Sequence, residues 1–107
     1  MLYKIGGYTL QLDWGAFCIA AAATGNDAVA PLKDIPTSDA YAVILYAGVE
    51  RKAEADGVAP SLTLQQAKEI LRSFRPVWIS KLDAAWQEVT TIDIDEDVEI
   101  SEDAKKK

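Results

Sequence analysis

The chain has 107 residues, half of them hydrophobic, and a formal net charge of −6. That length allows one domain with its own core and not two. The acidic balance disfavours direct nucleic-acid binding, no apolar run approaches the ~18 residues of a bilayer span, and one cysteine without any histidine excludes an intrachain disulfide, an all-cysteine zinc site and imidazole chemistry.

The first twelve residues, MLYKIGGYTLQL, lack the layout of a secretory signal, so a cytoplasmic protein is the default expectation. Leu2 to Ile5 and Tyr8 to Leu12 flank Gly6-Gly7 and predict a hairpin, because a two-residue turn requires the positive φ angles that glycine supplies. In the second arm Tyr8, Leu10 and Leu12 share one face, with Thr9 and Gln11 on the other. A lone hairpin is marginal, so this one should pack on helices.

Asp13 is placed to cap a helix from Trp14 to about Thr24, which Gly25 ends. Its four consecutive alanines, Ala20 to Ala23, make it thin. Trp14, Phe17, Cys18 and Ala21 are spaced to share its buried face, which would make Cys18 a structural thiol rather than a nucleophile. A loop follows over 26–36, with room for one helical turn near Ala28. Thr37, Ser38 or Asp39 then caps a helix from Ala40 to Asp56, stopped by Gly57. Tyr41, Ile44, Leu45, Gly48 and Val49 form its main stripe, and Ala42, Val43, Tyr46 and Ala47 widen it. A helix apolar over so much of its circumference is central to a fold or meets a second chain. The excess over one stripe is expected to lie against another chain or a client helix. From Glu50 onward the residues read as a solvated end.

The connection over 58–62 leads to Thr63 and Gln66, which fit a capping box, with Leu62 and Ala67 as a weak hydrophobic staple. Leu64, Ala67, Ile70 or Leu71, and Phe74 give that helix its buried face. Pro76 predicts a break, and Val77 to Val89 forms the last helix of the domain. Trp78, Leu82, Ala85, Trp86 and Val89 make its seam, with Ile79 and Asp83 beside it.

Residues 90–107 carry seven acids and three lysines, which leaves only −2 on the rest of the chain. Such composition favours a flexible tail. Ile92, Ile94, Val98 and Ile100 nevertheless alternate with Asp93, Asp95, Asp97 and Glu99, a pattern that can add to a partner's sheet edge as a strand. The run from Asp93 begins like a calcium loop but has Val98 and Ala104 where glycine and glutamate are required. Gly6-Gly7 lacks the context of a phosphate cradle. No nucleophile–base pair is legible, so no enzyme activity, metal or cofactor is expected. Of the three tryptophans, Trp14, Trp78 and Trp86, core burial is the plain reading, and anchoring of a partner helix is the functional one, with Trp86 first.

Three stretches carry a family resemblance: Asp-Trp-Gly-Ala-Phe opening a helix that ends at Thr24-Gly25, then Tyr41 to Glu50 (YAVILYAGVE), then Pro60 to Ala67 (PSLTLQQA). Across residues 10–89 the chain resembles the tail assembly chaperones of long-tailed bacteriophages, the type related to the lambda G protein. Val49 stands where that family commonly has leucine, and glutamine where it commonly has an acid. The resemblance implies a non-enzymatic protein of the host cytoplasm, not retained in the mature virion. Such a protein binds and solubilises the tape-measure protein, helps recruit tail-tube subunits and self-associates. It also implies a longer form made by ribosomal frameshifting, for which an adenine-rich run encoding Lys105 to Lys107 is a candidate site.

The expected architecture is therefore mainly α: a compact bundle of about four helices over 1–89 with a small N-terminal β-hairpin, then a flexible acidic tail over 90–107. The expected partner-binding residues are Tyr46, Phe74, Trp78, Ile79, Leu82 and Trp86, with no nucleic acid and no membrane involved. The alternative function is an acidic adaptor or nucleic-acid mimic that blocks a host protein.

Overall fold

The structure, a computed structural model, describes the backbone of residues 2–59 and 62–105 and the side chains of 2–59 and 62–90. It is mainly helical, with four helices and a two-stranded antiparallel hairpin among the described residues. Strand β1 (Leu2–Ile5) pairs with β2 (Tyr8–Gln11) in a register that sets Ile5 opposite Tyr8 and Leu2 opposite Gln11. Gly6 and Gly7 both have positive φ, +60° and +87°, as the tight turn demands. Leu10 and Leu12 are buried and Tyr8 is partly so, which bears out the expected inward face.

Helix α1 (Trp14–Thr24) begins and ends where expected. The Asp13 carboxylate accepts from the Ala16 amide, and Gly25 closes the helix in the left-handed conformation with its N–H on the Ala21 carbonyl. Its buried face matches the expectation at Phe17 and Ala21 and differs at Trp14 and Cys18. Ala16, Phe17, Ala20 and Ala21 are buried, whereas Trp14 and Cys18 are exposed. The physical reason is that the helix is apolar all round, so spacing alone does not select a face. The small Ala16 and Ala20 take the side that packs on the next helix, and Trp14 is left at the rim. Cys18 is therefore not a buried structural thiol.

The connection over 26–36 is built of turns, with no helix near Ala28. Asn26 holds it to the end of α1 by donating from Nδ2 to the carbonyls of Pro31 (3.0 Å) and Lys33 (2.9 Å), and Thr24 Oγ1 donates to Pro31 at 2.8 Å.

Helix α2 (Thr37–Asp56) starts one turn earlier than expected, with Pro36 at the cap position and no side-chain cap bond. Thr37, Ser38 and Asp39 are thus inside the helix. The Pro36 carbonyl accepts from the Ala40 amide at 2.9 Å and so opens the helix without a side-chain cap, and Asp39 in the first turn meets the positive end of the helix dipole. Gly57 ends the helix as expected.

α2 is the centre of the molecule. It packs on α1, on β2, on α3 (Leu64–Leu71) and on α4 (Pro76–Lys105). Ala42, Val43, Ile44, Leu45, Ala47 and Gly48 are all buried by these neighbours. The apolar excess of 41–49 is therefore consumed within the fold rather than left for another chain, because elements of one chain surround the helix on several sides. Gly48 allows a close approach of β2: a Cβ there would lie 2.6 Å from Leu10 Cβ.

The capping box of α3 is present as expected: the Gln66 amide donates to Thr63 Oγ1 at 3.1 Å and the Thr63 amide to Gln66 Oε1 at 2.9 Å. Leu62 and Ala67 are both in the core. α3 stops at Leu71, and Pro76 is the first residue of α4, so the proline marks the expected break. Leu82, Ala85 and Val89 are buried, flanked by half-buried Trp78, Ile79 and Trp86, which gives the expected seam. The helical backbone of α4 runs past the expected boundary at residue 90 and through Lys105, so the alternating segment does not form a strand here. A single strand leaves its backbone groups without partners, whereas a helix satisfies them locally. The side chains of 91–107, and with them the expected flexibility of the acidic segment, lie outside the described residues, as do Met1, Pro60 and Ser61.

Candidate interaction surface

The aromatic side chains fall into two rows. In the first, Trp14 meets Phe17 edge-on with ring centroids 6.3 Å apart, and Phe17 lies 4.9 Å from Trp86. This row crosses from α1 to α4. Trp86 and Phe17 also line a shallow groove whose other wall is the turn segment Ala28 to Lys33. Trp14 is 56% exposed and Val29, beside the groove, is 80% exposed. Thr90, also at this groove, donates to the Trp86 carbonyl at 2.7 Å.

In the second row, Phe74 stands edge-on to Trp78 at 5.2 Å and tilted against Tyr8 at 6.3 Å. The Arg75 guanidinium lies over Trp78, 5.6 Å from the ring centroid, as a cation–π contact. Phe74 and Trp78 press against the turn of the hairpin: a Cβ on Gly6 would meet Phe74 at 2.8 Å. These two rings therefore seat the hairpin on the end of α4.

The six expected partner-binding residues do not form one patch. Phe74 and Trp78 belong to the hairpin seat. Trp86 lies eight residues further along α4, about 12 Å along the axis, at the α1 groove. Leu82, between them, is fully buried and supports the seam from beneath. Ile79 is half-buried beside it. Tyr46 lies on α2, half-buried, and its hydroxyl is bonded to Glu50. That hydrogen bond, then burial, then the nearby negative charge push the Tyr46 phenol up to about 12.

The feature missed from the sequence is the outer face of α1. No residue of this helix is charged. Trp14, Cys18 and Ala22, one turn apart, are all exposed. They form an apolar stripe that continues through Trp14 into the aromatic row. The signal was available in the absence of any Asp, Glu, Lys or Arg between Trp14 and Thr24, since a surface helix ordinarily carries a polar face.

The base of α1 is fixed by charge. Asp13 accepts from Gln11 Nε2 (2.8 Å), from the Ala16 amide (3.1 Å) and from Arg51 Nε (2.9 and 3.2 Å to its two oxygens). Partial burial raises the Asp13 carboxyl, but the hydrogen bonds from Gln11, Arg51 and Ala16 and the Arg51 charge outweigh it and hold the group below its ordinary value. Gly15 makes room for this contact, because a Cβ there would collide with the Arg51 side chain.

Among the described residues, no group of three or more His, Cys, Asp or Glu side chains gathers as a metal site, and no helix is long and apolar enough to cross a membrane. The chain matches no family model, no curated protein and no solved structure.

Proposed function

We propose that the protein is a tail assembly chaperone of a long-tailed bacteriophage, which holds the helix-rich tape-measure protein soluble and helps recruit tail-tube subunits. The observation that supports this reading best is the uncharged α1 with its exposed Trp14, Cys18 and Ala22 beside the Phe17–Trp86 groove. An apolar helix face next to an aromatic-lined groove suits an amphipathic client helix, which lays its own apolar side into such a surface. The small Cys18 and Ala22 side chains allow close backbone approach, and Trp14 and Trp86 supply large apolar contact area. The sequence resemblance over 10–89 supports the same reading. The acidic residues of 90–107 would keep a loaded complex soluble by charge repulsion.

Co-expression with the tape-measure protein encoded beside it tests the proposal. The expected outcome is a larger soluble fraction of the tape-measure protein and its co-purification with this chain. If solubility and co-purification are both unaffected, the chaperone reading is wrong.

A further inference from the structure

A second surface has different chemistry. Among the described residues the sheet has two strands, so β1 has one paired neighbour and one open edge. In a two-residue hairpin the pair that closes the turn is hydrogen-bonded, and bonding alternates from there. With Ile5 opposite Tyr8, the backbone N–H and C=O groups of Leu2 and Lys4 point away from β2. Leu2 is 61% exposed and the Lys4 side chain is exposed.

A groove runs beside this strand. One wall is Tyr3, Lys4 and Ile5, and the other is Lys81, Ala84, Ala85 and Glu88 of α4. The helix residues recur at three and four, so they present one face to the strand. Ala84 and Ala85 keep the floor low enough for a backbone to enter. Lys4 and Lys81 are both exposed, while the Glu88 carboxylate is engaged by the Tyr3 hydroxyl, which donates to it at 2.7 Å. In a chain of net charge −6, this groove holds two lysines against one carboxylate.

We infer that the groove between the β1 edge and α4 binds an extended polypeptide segment in which aliphatic and acidic side chains alternate. The open backbone groups of Leu2 and Lys4 pair with the incoming strand, which settles about 4.8 Å from β1. Side chains alternate across a strand, so its carboxylates lie on the Leu2–Lys4 face and meet Lys4, its aliphatic side chains lie on the opposite face over Ala84, and Lys81 adds positive charge beside the groove. The backbone edge selects a strand over a nucleic acid, which has no such ladder to offer. This inference goes beyond the chaperone reading and does not rest on it.

The probe is a labelled synthetic peptide of residues 91–101, TIDIDEDVEIS, which has the required alternation. It is titrated into the full chain by fluorescence anisotropy. Saturable binding is expected, weakened at least tenfold in the Lys4→Glu/Lys81→Glu variant and weakened by 0.5 M salt, because exposed charge pairs are screened. Both lysines are exposed, so the thermal midpoint of that variant should match the wild type. Amide exchange then reads the geometry: the Leu2 and Lys4 amides should become protected on saturation. No binding at millimolar peptide, equal binding by the charge-reversed variant, or binding without protection of those two amides overturns the inference.

Discussion

Asp13 does three jobs with one carboxylate: it caps α1, receives Gln11 from β2 and pairs with Arg51 of α2. Three elements thus meet at one side chain. Its pKa is depressed in the fold, so its stabilising contribution is present above the ordinary carboxylate range and is lost as pH falls through the folded-state value. Asp13→Asn keeps a capping oxygen but loses the charge that faces Arg51, so it should be less stable than wild type at pH 7 by about 0.2–1 kcal/mol, the range of a partly exposed ion pair. The gap should narrow as the pH is lowered below 4. Urea unfolding of both proteins between pH 2.5 and 7 checks this, and parallel curves would mean that Asp13 does not titrate with folding. The capping role was legible in the sequence, since an aspartate directly before an apolar helical run is a standard start signal. The Arg51 partner was not, because it lies 38 residues away and only the packing of α1 on α2 brings it near.

At the scale of elements, boundaries set by local chemistry were readable and faces set by packing were only partly so. Gly25 and Gly57 as stops, the Thr63–Gln66 box and the break at Pro76 all follow from backbone preferences within a few residues. The start of α2 was displaced because three competent capping residues stand in a row after Pro36, and spacing does not choose among them. On α1 Phe17 and Ala21 were placed correctly, but Trp14 and Cys18 were misassigned because its apolar side chains have no polar counterpart to mark the solvent side. In α2 the wide apolar surface was visible, but which neighbours cover it depends on tertiary contacts. Gly48 is where β2 comes tight against α2. Gly48→Ala forces a methyl group against Leu10 Cβ, which is anchored to the β2 backbone and cannot swing aside. Overpacking of this kind costs about 1–3 kcal/mol, more than the gain in helix propensity of about 1 kcal/mol that alanine brings. Chemical denaturation should show a net loss of stability, and a stabilised Gly48→Ala protein would mean that β2 sits further from α2.

For the whole molecule, the distribution of apolar surface is the central point. The interior of the bundle absorbs most of the apolar surface of α2, and the hairpin is seated by Phe74 and Trp78. Besides the exposed Leu2, Val58 and Val77, what remains outside is the uncharged face of α1, with Trp14 at its rim and the Trp86 groove beside it. The expected partner residues on α4 were chosen as a seam, and most of that seam closes the fold. Trp86 alone of them shares a surface with α1. An exposed apolar face of this kind is where a client helix would be held, and its exposed Cys18 and Ala22 can be altered without changing the Trp14–Phe17 contact. The most direct measurement is the soluble yield of co-expressed tape-measure protein with wild type and with a Cys18→Glu/Ala22→Glu variant, alongside the thermal midpoint of each protein alone. The account predicts an unchanged midpoint and a client yield that falls several-fold towards that of the client expressed alone. A variant that folds normally and keeps the client soluble as well as wild type would contradict it.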